Sequence, residues 1–153
     1  IKYLKEKKKM GTAGSLSLLS EKIVDPLLVM NCDIITELDF KKMIEYYEKN
    51  RADALMCVKE YTFQVPYGVV NLDKISLKSI DEKPVQKFFV NAGIYLINPK
   101  VIKLIPQNKF FDMPELFKIL SKKNKKIVAY PVTENWSDAG SFDELKKFNV
   151  NFS

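Results

Sequence analysis

The chain has 153 residues, 46% of them hydrophobic, enough apolar material for one compact domain or a large piece of one. It contains no histidine, which excludes a Ser-His-Asp triad, a histidine zinc site and imidazole acid–base chemistry. A net charge of +6 suits polyanionic ligands, either nucleic acid or phosphorylated small molecules.

No apolar stretch reaches the roughly 18 residues of a membrane span. The basic start of the chain has no apolar segment behind it, so it does not read as a secretory signal, and a cytoplasmic location is expected. Cys32 and Cys57 read as small buried hydrophobes in a reducing compartment rather than as a disulfide. The lysine clusters at 5–9, 41–42, 122–126 and 146–147 read mostly as solvated faces.

Residues 12–19 are short and helix-compatible and follow a loop at Gly11-Thr12-Ala13-Gly14. Residues 26–32 form an apolar run of strand length, expected to be buried on both faces, that ends at Asn31-Cys32-Asp33. Ligands bind outside the carboxyl ends of such strands in open α/β sheets, so Asp33 stands where chemistry is expected. Residues 37–50 place Leu38, Met43, Ile44 and Tyr47 on one helical face, with Thr36 as N-cap, Asp39 as a weak capping-box partner and Asn50 as the stop.

Residues 53–59 are the next strand, and the strand–helix–strand order reads as a right-handed parallel crossover. Short β runs at 67–72, 77–81 and 88–97 follow, with turns at Asp73-Lys74 and Glu82-Lys83-Pro84, giving a sheet-rich excursion. Pro99 opens a helix over 101–105, and a second helix covers 114–122 with Pro114 in its first turn and Asp112 as cap. A strand at 127–132 and a last helix at 142–148 complete an α/β pattern with an inserted or appended β region. There is no repeat, linker or internal boundary.

Three further segments could carry chemistry. The two glycines of Gly11-Thr12-Ala13-Gly14 let the backbone approach a flat or anionic ligand; an ordinary tight turn is the plainer reading. Pro84 is expected to hold Lys83 extended at a strand end, a good point charge for a phosphate; a charged surface turn is the plainer reading. In Asn135-Trp136-Ser137-Asp138-Ala139-Gly140-Ser141 a rigid aromatic could fix a carboxylate, or Asp138 or Ser141 could cap the helix that follows.

In order along the chain these segments resemble the sugar-1-phosphate nucleotidylyltransferases, the nucleotide-sugar pyrophosphorylases. Gly11-Thr12-Ala13-Gly14 is similar to that family's Gly-Thr-Ala-Gly loop. Asn31-Cys32-Asp33 resembles its Asn-Gly-Asp, with Cys32 in place of glycine. Tyr67-Gly68-Val69-Val70, Glu82-Lys83-Pro84 and Asn91-Ala92-Gly93 match its motifs, and Trp136-Ser137-Asp138-Ala139-Gly140 resembles its Trp-x-Asp-x-Gly. The stretches at 64–67 and 111–117 look most like the heptose- and hexose-phosphate guanylyltransferase subgroup.

The resemblance implies a Rossmann-like three-layer α/β fold, as a single partial domain over 1–153, whose mixed sheet carries a small β-rich sugar-binding excursion. It implies transfer of a nucleotidyl group from a nucleoside triphosphate to a sugar 1-phosphate, with release of pyrophosphate, in nucleotide-sugar and surface-glycan synthesis. Asp33 and Asp138 would hold Mg2+, which is commonly bound by one or two carboxylates plus substrate phosphates. Lys83 would hold the sugar's phosphate; Gly68, Glu82 and Asn91 would contact the sugar; Gly11, Thr12 and Ala13 would lie against the base. The attacking phosphate is already ionised, so the lack of histidine fits. The partners implied are small molecules, not nucleic acid or a membrane, with homo-oligomers left open. The family's Gly-x-Gly-x-Arg triphosphate loop has no match, so the chain is expected to be a fragment lacking the first strand or strands, with exposed apolar sheet surface and little activity alone.

Two other readings compete. A degenerate subunit that binds sugar nucleotides would explain the missing loop but not the retention of two metal carboxylates. A nucleic-acid module is suggested by the charge, but the aromatics lie in apolar runs rather than among the lysines. The base is expected to be guanine, then thymine or uracil, then cytosine.

Overall fold

The computed structural model describes residues 1, 3–19 and 23–140; the helix expected at 142–148 and the Ser141 cap lie outside them. Four strands form the central sheet: β1 (Leu27–Met30), β3 (Ala54–Gln64), β6 (Val85–Ile97) and β7 (Ile127–Pro131), in the order β1-β6-β3-β7. β6 is antiparallel to both β1 and β3, whereas β7 runs parallel to β3, so the sheet is mixed as the resemblance implied. β1 and β3 share a direction but do not touch, because β6 lies between them; the expected crossover therefore spans a strand that is supplied later in the chain.

Side chains alternate across the sheet. On one face Tyr95 and Ile97 meet Val101, Met113, Leu116 and Leu120, from α3 (Pro99–Ile102) and α4 (Met113–Lys122). On the other, Ile94, Leu96, Leu55 and Cys57 meet Met43 and Tyr47 of α2 (Phe40–Asn50). Helix, sheet and helix make three layers. The caps are chemical: the Asp39 carboxylate accepts from Lys42 N at 3.1 Å, and Glu115 accepts from the Asp112 N–H at 3.0 Å, half of a capping box. Asp39, not Thr36, starts α2, since the Thr36 hydroxyl is taken by Leu38 N at 3.1 Å. Ile44, expected on the buried face with Met43 and Tyr47, is 37% exposed.

β1 departs from the expectation of burial on both faces. Leu28 and Met30 are 45% and 39% exposed, because β1 is an edge strand paired only with β6 and no described element covers its outer face. Cys32, at the tip beyond it, is exposed, while Cys57 is buried. No described helix is long and apolar enough to cross a membrane.

Beyond the core, β3 and β6 continue as a two-stranded ribbon, Val58–Gln64 against residues 85–91. A separate hairpin, β4 (Val69–Asp73) with β5 (Ser76–Asp81), hangs from its far end. Core and ribbon meet at a bulge: Met56 faces Tyr95 and Val58 faces Asn91, so two residues advance on β3 for four on β6. Gly93, at φ +70, absorbs the extra chain in a left-handed conformation that other residues avoid. A final short pair joins β2 (Ile34–Thr36) to β8 (Trp136–Asp138).

Candidate active site

Asp33 ends the loop after β1, and Asp138 ends β8. The β2–β8 pairing sets Ile34 opposite Asp138, so residues far apart in sequence become neighbours. Ala139 N donates to the Asp33 carbonyl at 2.7 Å, and Gly140 N donates to Asp138 Oδ1 at 2.9 Å. Both carboxylates converge on Gly140: a Cβ placed there would lie 2.9 Å from Asp33 Oδ2 and 3.0 Å from Asp138 Oδ1. Asp33 Oδ1 is buried with no hydrogen-bond partner among the described residues, an arrangement that ordinarily carries a desolvation cost. Two acidic groups closing on one point, one with an orphaned oxygen, fit a hard divalent cation. No three described side chains of ligating type cluster to complete such a site, so two carboxylates would leave its remaining positions to water or substrate oxygens.

The bulge turns backbone groups of β6 toward this loop. Asn31 N donates to the Gly93 carbonyl at 2.9 Å, and the Trp136 indole N–H donates to the Ala92 carbonyl at 2.8 Å. Asn91 is held at both ends of its amide: Oδ1 accepts from Gly93 N at 3.0 Å, and Nδ2 donates to Tyr95 Oη at 2.6 Å. Asn91 is therefore locked in place, with one amide hydrogen left for a ligand. Burial raises the Tyr95 phenol above its usual pKa, against the lowering effect of Asn91. Burial, with a smaller push from the charge of Glu134, raises the Cys57 thiol to about 12, so Cys57 is an inert core thiol.

Gly68 and Glu82 also come together. A Cβ on Gly68 would lie 3.0 Å from Glu82 Oε2, so the glycine makes room for that carboxylate. Both belong to the excursion beyond the ribbon. Six strand residues, about 20 Å of chain, separate Val85 from Asn91 along β6. Lys83 does not adopt the extended form expected before Pro84; its φ is +46. Gln64 Nε2 donates to the Lys83 carbonyl at 3.3 Å and Val65 N to the Pro84 carbonyl at 3.0 Å. These two bonds curl the turn back onto the end of β3, leaving the Lys83 side chain exposed.

The Gly11–Gly14 segment, α1, is a single helical turn packed on the start of α4. Ala13 N and Gly14 N donate to the Phe111 carbonyl at 3.1 and 2.9 Å. Thr12 N and Oγ1 donate to Asp112 Oδ1 at 2.9 and 3.2 Å. A Cβ on Gly11, φ +76, would lie 2.6 Å from that same oxygen. The amides of Thr12, Ala13 and Gly14 are thus used internally. Asp112 as the clamp of this turn, Tyr95 behind Asn91, and Lys59, whose Nζ donates to the Glu134 carbonyl at 2.9 Å, were not singled out from the sequence. Only the position of Asp112 beside a helix start offered a signal for any of them.

The nucleotidyl transferase family model matches residues 1–152. A probable mannose-1-phosphate guanylyltransferase 3 of Arabidopsis thaliana is 38% identical over 151 residues, covering 92% of this chain and 44% of that protein. A mannose-1-phosphate guanyltransferase of Candida albicans is 31% identical over 148 residues, covering 92% and 41%. Among solved structures, HddC from Yersinia pseudotuberculosis superposes with a TM-score of 0.68 at 25% identity, covering 97% of this chain and 65% of that one. The chain spans less than half the length of these curated relatives. With the family model matched along nearly the whole chain and the fold in agreement, this chain belongs to the nucleotidyl transferase family.

Proposed function

We propose that the intact protein transfers a nucleotidyl group from a nucleoside triphosphate to a sugar 1-phosphate, releasing pyrophosphate. The observation that carries this reading is the convergence of Asp33 and Asp138 on Gly140 with Asp33 Oδ1 unpartnered. A Mg2+ ion bound there would neutralise charge gathering on the triphosphate. The chain's own residues bind and orient. Asn91, fixed by Gly93 and Tyr95, offers its free amide hydrogen to a sugar hydroxyl; Glu82 beside Gly68 lies about 20 Å along the ribbon and accepts from the same sugar when the ribbon folds over the carboxylates. Lys83 supplies a cation for the sugar's phosphate. No general base is required, since the attacking phosphate oxygen is already ionised, and positioning does most of the work.

Guanine is the base we favour, on the names of the curated relatives, with thymine or uracil next. The reaction is placed in the cytoplasm, supplying nucleotide sugars for glycan synthesis. The test is a matrix of the common nucleoside triphosphates against hexose and heptose 1-phosphates, with Mg2+ and pyrophosphate as the readout. GTP with one sugar phosphate should dominate and chelation should abolish the signal; a matrix with no pyrophosphate above background overturns the reading. The rival reading is a binding subunit without turnover. Mg2+-dependent binding of a nucleotide sugar with no release of pyrophosphate would select it.

A further inference from the structure

The bulge in β6 leaves the Ala92 and Gly93 carbonyls without partners on β3, and buried carbonyls need them. They are met by the Trp136 indole at 2.8 Å and by Asn31 N at 2.9 Å. Asn31 leads to Asp33; the Asp33 carbonyl takes Ala139 N; Ala139 follows Asp138, two residues from Trp136. The hydrogen bonds therefore close a ring around the two carboxylates. The Asn31–Asp33 loop and β8 contribute one side of the ring, the bulge the other.

We infer that Trp136 is a positioning residue: its indole N–H, donated to the Ala92 carbonyl, fixes Asp138 against the Asn91–Gly93 bulge, so the carboxylate pair and the Asn91 amide keep one spacing. This rests on the function proposed above. Trp136 needs no contact with substrate for it. Its effect passes through the ring to Asp138, and a loosened ring should weaken cation binding more than it unfolds the protein. Loss of one such hydrogen bond corresponds to roughly a three- to tenfold change in an equilibrium constant.

The test uses the intact protein. Trp136→Phe keeps an aromatic side chain and removes the N–H; Thr36→Val is the control. Thr36 Oγ1 donates to the Asn135 carbonyl at 3.0 Å, so the control loosens the same strand pair without touching the indole link. Mn2+ affinity is read by electron paramagnetic resonance of the free ion, with thermal melts alongside. The expected result is Mn2+ binding weakened roughly three- to tenfold in Trp136→Phe and unchanged in Thr36→Val. Unchanged binding in Trp136→Phe, or equal weakening in both variants, overturns the inference. Should Trp136→Phe fail to fold, the indole N–H can be followed in the unmodified protein by NMR. Its hydrogen exchange should slow when Mg2+ is added, and unchanged exchange overturns the inference. A protein that shows these effects yet releases no pyrophosphate refutes the proposed function and leaves the positioning role standing.

Discussion

Replacing Gly140 by alanine tests the carboxylate pair without removing a charge. The new methyl would sit 2.9 Å from Asp33 Oδ2 and 3.0 Å from Asp138 Oδ1, several tenths of an ångström inside normal carbon–oxygen contact. Gly140 does not occupy the left-handed region, so the backbone accepts alanine, and the smaller entropy of the unfolded chain contributes about 0.4–1 kcal/mol in favour of folding. Both carboxylates are only partly buried and can turn aside at small cost. The fold should therefore survive with a change of no more than about 1 kcal/mol. The site should not, since each carboxylate moves off the point on which the two converge. Misplacement on the ångström scale reduces turnover by about 100-fold. Pyrophosphate release by Gly140→Ala, at saturating substrates and over a Mg2+ titration, should fall by tenfold to about 100-fold, with the melting curve nearly unmoved. Wild-type turnover with wild-type Mg2+ dependence would refute the view that this gap is where the cation and triphosphate meet.

Asp33→Asn and Asp138→Asn should each reduce turnover far more than stability, because each removes a ligand and no ion pair; a variant that melts early yet keeps full activity when folded would end the metal assignment. Gly68→Ala should raise the KM for the sugar 1-phosphate with a smaller effect on the KM for the nucleotide, since its methyl meets Glu82 Oε2 at 3.0 Å; equal effects on both would contradict a sugar role for Glu82. Asp112→Ala strips the acceptor from Thr12 N and Oγ1 and should destabilise the protein by about 1–3 kcal/mol in a denaturant titration. With thiol reagents at mildly alkaline pH, Cys32 should react first and Cys57 only on unfolding. The Cys57 thiol is raised from 9.0 to about 12 in the folded state. Below pH 9 neither state ionises there and the group leaves stability unchanged. Above it the unfolded chain loses the proton first, so stability falls as pH rises toward 12.

Much of the site was legible because its motifs are local. The carboxylates after apolar runs, the glycine beside a carboxylate, and the proline turn can each be read within a few residues. What escaped depends on pairing. β1 reads as doubly buried from Leu27, Leu28 and Val29, yet it is an edge strand among the described residues and its faces are only partly covered. The conformation of Lys83 is set by Gln64 and Val65, across the ribbon, which overrule the preference imposed by Pro84. Asp112 looks like a helix cap in sequence; its use as a clamp for Thr12 appears only when segments 100 residues apart meet. The roles of Tyr95 and Lys59 are invisible in the same way, since aromatic and lysine side chains in strands carry no mark of the partner they will find.

The bulge between Met56 and Val58 also has a mechanical side. Past it, β3 and β6 run on as a lone pair of strands that carry Gly68 and Glu82 at the far end. A two-stranded strip bends most readily where its ladder is broken. A tilt of about 10° at the break swings a tip about 20 Å away through about 3.5 Å, more than the length of a hydrogen bond. The same glycine that aims Ala92 and Gly93 at the carboxylate loop thus sits at the fulcrum of a lever whose far end carries Gly68 and Glu82.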